Sequence, residues 1–228
     1  MRERRTKLEF LWRLLRDGTQ RRHAFRWWRS CEPDFLIKNC LPWLVFDAVD
    51  AVAALDLAGL RVFEYGSGGS TLFWQARGAS TVSIEHDPAW FAVVRSRLAV
   101  LPTVDYRLIE PQPGSTAQVS DPSDPEAYLS TDARWRDASF QHYVGAIEDF
   151  EDGTFDVVLV DGRARPSCIK HGARKVASGG ALILDDSQRP YYLARTREYL
   201  QDFVETRFLG SRPAVPEMSA TSIFTKLR

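Results

Sequence analysis

From residue 61 onward, short apolar runs alternate with stretches of helical period. RVFEY (61–65), STVSIE (80–85), TVDYRLI (103–109), FDVVLVD (155–161) and GALILD (180–185) read as strands. Residues 70–77, 88–99, 142–150 and 167–177 read as helices between them. VVLV and ALIL are apolar without alternation, which suits strands covered on both faces. Their alternation with helices predicts an α/β fold with a doubly wound, mostly parallel sheet. Two further strands, 203–209 and 221–226, are joined by a Pro-containing loop and are expected as an antiparallel pair at the sheet edge.

Upstream of residue 59 the period is helical throughout. Residues 3–16 place Leu8, Leu11, Trp12 and Leu15 on one stripe among arginines, a face suited to a partner, a membrane surface or the protein's own body. A second helical stretch runs from about Pro33 to Leu57 and stops at Gly59. The chain therefore divides into a helical arm or cap, 1–58, and a main domain, 59–228. Residues 111–135 are too long, polar and Pro-rich for an ordinary connection, so a lid or a disordered insertion is expected at about 111–140.

At 228 residues and 44% apolar, the chain has the material for one core. Charge is balanced overall but not along the sequence. Residues 1–29 hold ten Arg and Lys against three acids, and the remainder holds twenty against twenty-seven. Cys31, Cys40 and Cys168 show neither CxxC nor zinc-like spacing, which fits reduced thiols. No run reaches the length of a membrane span and no signal peptide is apparent, so a soluble, cytoplasmic protein is expected.

The strand RVFEY runs directly into GSGGST and a helix. Glu64, Tyr65, Gly66, Ser67, Gly68, Gly69 and Ser70 thus form a strand-to-helix turn whose glycines permit close backbone approach. Alone this turn is a weak signal, with a tight turn for packing as the plainer alternative. Glu85, about twenty residues on, closes the next strand, where a carboxylate can accept from both hydroxyls of a ribose. Together they point to an adenosine-containing ligand, with His86 and Asp87 at the adenine rim. A dinucleotide turn needs a small sixth residue, but Thr71 stands there, and the preceding Glu64 suits a cationic amine better than a pyrophosphate.

Glu64-Tyr65-Gly66-Ser67-Gly68-Gly69-Ser70 resembles the E/D-x-G-x-G-x-G motif of class I S-adenosylmethionine-dependent methyltransferases, with Ser70 in place of the last glycine. Glu85 matches the ribose-binding acid, and FDVVLVDG with SGGALILDDS matches the fourth and fifth strands. The resemblance covers roughly residues 60–190. It implies a seven-stranded sheet with an antiparallel last strand, S-adenosylmethionine as cofactor and a methyl-transfer activity.

Asp161 after the fourth strand and Asp185 and Asp186 after the fifth are similar to the acids of metal-dependent small-molecule O-methyltransferases of the catechol and macrocin types. That likeness implies a Mg²⁺ site at Asp161, Asp185 and Asp186, with Asp161 and Asp186 catalytic and Asp161 also beside the cofactor. Arg163, Arg165 and Arg189 lie close in sequence and could replace the metal. His142, His171 and Lys170 are candidate bases, but a lone His or Lys in a helical stretch is more often a solvated surface residue. Cys168 reads as an inert thiol, Tyr191 and Tyr192 as acceptor-lining or packing residues, and Trp74 and Trp90 as core or interface.

The leading expectation is O-methylation of a small-molecule acceptor. The basic arm, with Trp27 and Trp28 among arginines, raises RNA or a ribosomal component as an alternative substrate. The same arm packing on the body or forming a homo-oligomer is the plainer reading. A non-catalytic binding protein on the same scaffold and an NAD-dependent reductase complete the set, the last disfavoured by Thr71 and Glu64.

Overall fold

The computed structural model describes residues 2–98, 103–113 and 121–228. Four helices precede the first strand: α1 (Arg2–Arg16), α2 (Ala24–Ser30), α3 (Phe35–Lys38) and α4 (Phe46–Ala53). The main domain follows as β1 (Arg61–Tyr65), α5 (Gly69–Ala76), β2 (Ser80–Glu85), α6 (Pro88–Arg95) and β3 (Val104–Leu108). The short strands β4 (Gln112–Pro113) and β5 (Ala138–Ser139) come next, then α7 (Gln141–Gly145), β6 (Phe155–Val160), α8 (Arg165–Lys175) and β7 (Val176–Leu184). β8 (Phe203–Ser211) and β9 (Met218–Lys226) end the chain.

Seven strands form one sheet in the order β3-β2-β1-β6-β7-β9-β8. β3, β2, β1, β6 and β7 run parallel, while β9 pairs antiparallel with both β7 and β8. The expected doubly wound sheet with an antiparallel last strand is therefore present, with β9 inserted between β7 and the edge strand β8. Strand order reverses between β1 and β6, so a crevice opens beyond their carboxyl ends. Val158, Leu159, Val160, Leu182 and Leu184 are all buried, as their unbroken apolar run requires.

The N-terminal segment departs from the single helix expected over 33–57. It is two short helices, α3 and α4, separated around Leu41 and Pro42. Cys40, just before the break, has φ 47°, and proline disfavours a helical residue before it. The α1 stripe is divided. Leu11 packs with Phe10 and Leu14 against Trp27 and Phe46, whereas Leu8, Trp12 and Leu15 face outward. Trp27 is wholly buried and its Nε1 donates to the Val215 carbonyl at 2.8 Å, so the arm is seated on the body.

β4 pairs with β5 and closes the base of the 111–140 insertion. Its residues 114–120 lie outside the described residues. α6 ends at Arg95, with 96–98 in a turn rather than the expected helix, and residue 99 also lies outside the described residues. Among the described residues no helix is long and apolar enough to cross a membrane.

Candidate functional site

A cavity of about 540 Å³ lies over the carboxyl ends of β1, β2, β6 and β7, within the size of small-molecule pockets. Its floor is the glycine turn against the turn after β6. Gly66 has φ +90°, and a Cβ there would fall 2.7 Å from Gly162 Cα, so the two strand ends meet only because both residues are glycine. Gly69 is required on the other side, because a Cβ would lie 2.1 Å from the Leu41 carbonyl oxygen. The N-terminal cap thus presses directly on the start of α5.

Glu85 turns its carboxylate onto this turn. Oε2 accepts from the Ser67 N–H at 3.1 Å and the Ser67 hydroxyl at 2.9 Å, and Oε1 accepts from the N–H groups of His86 and Asp87. Burial opposes its ionisation, but His86, the Asp87 N–H and Ser67 outweigh burial and hold the carboxyl below its usual range. Tyr106 Oη lies 2.7 Å from Ser67 Oγ, and Trp90 Nε1 donates to the Ser67 carbonyl at 2.9 Å. Asp87 caps α6, accepting from Ala89 and Trp90, with Pro88 in the first turn.

Glu64 and Tyr65 do not line the cavity, contrary to the sequence expectation. Glu64 is fully buried behind the turn, where Oε2 accepts from Thr71 and Ser83 at 2.6 Å each. Burial raises its pKa, with Ser70, Ser83 and Thr71 partly offsetting the shift. Thr71, the residue that broke the dinucleotide pattern, is the partner that fixes Glu64: its hydroxyl also accepts from the Gly68 N–H at 3.0 Å. Tyr65 faces the opposite side of the sheet and donates to the Val144 carbonyl. Gly66, Ser67, Gly68, Gly69, Ser70, Glu85, His86 and Asp161 do line the cavity.

The strand-end acids meet guanidinium groups. Arg165 on α8 pairs with Asp161 at 3.0 Å, lies 3.9 Å from Asp185 and 3.7 Å from Asp186, and donates to the Asp185, Asp161 and Gly162 carbonyls. Arg212 and Arg189 each reach Asp186 at 2.9 Å, and Thr221 donates to Asp185 at 2.8 Å. Burial, then the neighbouring Asp185 charge, pushes Asp161 well up, and burial raises Asp185 to about 6. Burial also opposes ionisation at Asp186, but Arg165, Arg212 and Arg189 outweigh it and hold that carboxyl low.

This arrangement does not fit the expected Mg²⁺ site. Among the described residues, the metal-ligand types that bring three donor atoms within 4.8 Å of one another are His23, Asp47 and Asp50 in the cap, not Asp161, Asp185 and Asp186. The strand-end carboxylates are drawn instead toward Arg165, whose three nitrogens are held by the Gly162, Asp185 and Asp161 carbonyls and the Asp161 carboxylate together. The cap trio is likewise matched by Arg22 on Asp47 and Arg26 on Asp50.

The candidate bases are not at the cavity. His142 is exposed, His171 pairs with Glu148 at 2.5 Å, and Lys170 pairs with Glu126. Cys168 is buried with its thiol pushed up by burial, as expected for an inert residue. Tyr191 and Tyr192 both line the cavity, and Tyr191 Oη lies 3.0 Å from Thr131 Oγ1. Pro122, Leu129, Ser130 and Thr131 bring the 111–140 insertion over the site, where Asp132 pairs with Arg163 at 3.1 Å.

Leu36, Trp43 and Arg212 are wall residues that the sequence did not single out, and Trp90 is a wall rather than core. Arg212 precedes β9 at the same sheet edge as Asp186, a placement readable only once the strand order is known. Leu36 and Trp43 carry no motif at all.

The fold matches known proteins. A proposed O-methyltransferase from Klebsiella pneumoniae superposes with a TM-score of 0.55 at 15% identity, over 100% of both chains. An O-methyltransferase from Bacillus cereus, solved with S-adenosylhomocysteine, gives 0.50 at 13% identity over 86% of this chain and 92% of that one. The chain has the class I methyltransferase fold. No protein-family profile matches the sequence, and no curated protein matches it. The shared fold puts the cavity at the switch point, where ligands of doubly wound sheets bind.

Proposed function

We propose that the protein is an S-adenosylmethionine-dependent methyltransferase acting on an oxygen of a small-molecule acceptor, with the arginine cluster standing where the catechol-type enzymes hold a metal. One observation carries this reading: Glu85 and the glycine turn are joined through Ser67 inside the cavity at the switch point. When bound, S-adenosylmethionine supplies an electrophilic methyl group on its sulfonium.

The residues divide by place. The Ser67, His86 and Asp87 donors take all four lone-pair sites of the Glu85 carboxylate, so a ribose hydroxyl binds there by displacing the rotatable Ser67 hydroxyl. His86 and Trp90 flank it as flat walls, and the first N–H groups of α5 open beside the turn. Toward β7, Thr131, Tyr191, Arg189 and Trp43 offer hydroxyl, cationic and aromatic groups suited to an oxygen-bearing acceptor. Burial of the Arg165 cluster keeps that end rigid, which serves orientation of two reactants.

Calorimetric titration with S-adenosylhomocysteine tests the cofactor half of the proposal, and absence of heat refutes it. A panel of phenol and sugar acceptors, run with EDTA and then with Mg²⁺, tests the rest. Turnover that survives EDTA supports it, and strict dependence on Mg²⁺ refutes the arginine reading.

A further inference from the structure

α1 is apolar on two sides, and among the described residues only one is used within the chain. Phe10 and Leu14 are 5% and 1% exposed, packed with Trp27 and Phe46. Leu8, Trp12 and Leu15 follow at i, i+4 and i+7 and are 43%, 61% and 49% exposed, forming one outward line. On α2, Phe25 and Trp28 are exposed as well. Around them the chain is cationic, with Arg13 and Arg16 in the last turn of α1 and Arg16 lying 6.0 Å from the Trp12 ring.

From this we propose that the outer face of α1 docks the protein peripherally on an anionic lipid surface, with Leu8, Trp12 and Leu15 entering the headgroup region. A basic helix with Trp and Leu on one face and too short to span lies in the plane of a bilayer interface. Charge selects this occupant over a second copy. Residues 1–29 hold ten Arg and Lys against three acids, and although Arg5, Arg22 and Arg26 are paired with Glu9, Asp47 and Asp50 the segment keeps a cationic excess. A two-fold contact through α1 would set two such segments face to face. Anionic headgroups oppose the same charge everywhere along the face. RNA is disfavoured because Trp27, half of the expected stacking pair, is buried, and Leu8 and Leu15 give no stacking plane.

Docking would also orient the cavity, because Leu36 and Trp43 of the same N-terminal cap form part of its wall. The inference does not depend on methyl transfer, and its test uses no activity. Full-length protein is co-sedimented with phosphatidylcholine vesicles, with and without about 30% phosphatidylglycerol, at low and high salt. Retention on the anionic vesicles, weakened by salt and roughly tenfold lower on neutral ones, is the expected result. Trp12→Glu should lower retention roughly tenfold, and the uncharged Trp12→Ala by several-fold, with thermal melting unchanged because the side chain is outside the core. Equal retention on neutral vesicles, or none on anionic ones, overturns the proposal. So does a wild-type dimer that Trp12→Glu converts to monomer without altering vesicle binding, which would give the face to a second copy.

Discussion

Ser67 donates twice to Glu85, from its backbone N–H at 3.1 Å and its hydroxyl at 2.9 Å, and so ties the end of β2 to the turn after β1. The carboxylate braces the turn, and in the proposed function it is also the group that meets a ribose. Glu85→Gln keeps the shape and removes the charge. S-adenosylhomocysteine affinity is expected to fall at least about tenfold, since charge-assisted hydrogen bonds contribute roughly 1.5–3 kcal/mol. Calorimetry reads this directly, and unchanged affinity would remove Glu85 from the ligand.

The same substitution changes acid stability in a defined direction. Glu85 ionises more readily in the folded protein than at its ordinary value of 4.5. The unfolded chain therefore binds the proton more tightly, so the stabilisation is present above that value and lost as pH falls through the lower folded pKa. Urea midpoints measured at pH 7, 5 and 4 should drop less steeply in Glu85→Gln than in the wild type.

Arg165 and Asp161, 3.0 Å apart, anchor the opposite end of the cavity. Removing the guanidinium by Arg165→Met leaves Asp161, Asp185 and Asp186 with Arg189 and Arg212 alone. Breaking a buried pair in this way costs about 3–5 kcal/mol. The loss should be larger at pH 8 than at pH 5. Asp161 and Asp185 already hold protons more tightly when folded than unfolded, with Asp185 at about 6, so their contribution falls as pH rises through that window. Below it, protonation relieves the uncompensated charge. Urea midpoints of wild type and variant at the two pH values check this, and an equal loss at both contradicts it.

Gly69 fixes how the cap meets the main domain. A methyl at that residue would sit 2.1 Å from the Leu41 carbonyl oxygen and 2.9 Å from that of Leu36, both of them backbone atoms. Gly69→Ala therefore has to push the cap away from α5, and overpacking of this kind costs about 1–3 kcal/mol. Denaturant midpoints measure the loss. A Gly68→Ala control, whose added Cβ meets only the Trp90 side chain at 3.7 Å, should be milder in stability.

The main domain was legible because its signals are local. Continuous apolar runs mark β6 and β7, and Asp87-Pro88 marks the start of α6. That Gly66 to Gly69 and Glu85 meet at one cavity was legible for the same reason, since they sit at fixed offsets on two adjacent strands. What could not be read depended on contacts distant in sequence. Glu64 looked available to a ligand until Thr71 and Ser83 were seen to enclose it. Asp161, Asp185 and Asp186 resembled a metal site, and Arg165 and Arg189 were legible as their alternative partners, but nothing in the sequence brings Arg212 beside them. The α1 stripe was seen, but Trp27 and Phe46 claimed only Leu11 of it, together with Phe10 and Leu14.

Trp43 reports on the end of the cavity that the proposed function assigns to the acceptor. Arg212 lies 5.2 Å over its ring while reaching Asp186 at 2.9 Å, and Trp43 Nε1 donates to the Pro213 carbonyl at 2.9 Å. Glu85 ends β2, whereas Asp186 follows β7, three strands away at about 4.8 Å per strand. Loss of the Trp43 ring should thus be felt by the acceptor rather than by the nucleoside. Trp43→Ala is expected to raise the acceptor KM about fivefold, in keeping with about 1 kcal/mol for a cation–π contact that orders Arg212, while S-adenosylhomocysteine affinity stays within about twofold. Trp43→Phe, which keeps an aromatic face without the Nε1 donor, should recover part of the KM. Equal losses of acceptor and S-adenosylhomocysteine binding in Trp43→Ala would mean that the cap shapes the whole cavity and that the two ends are not separable.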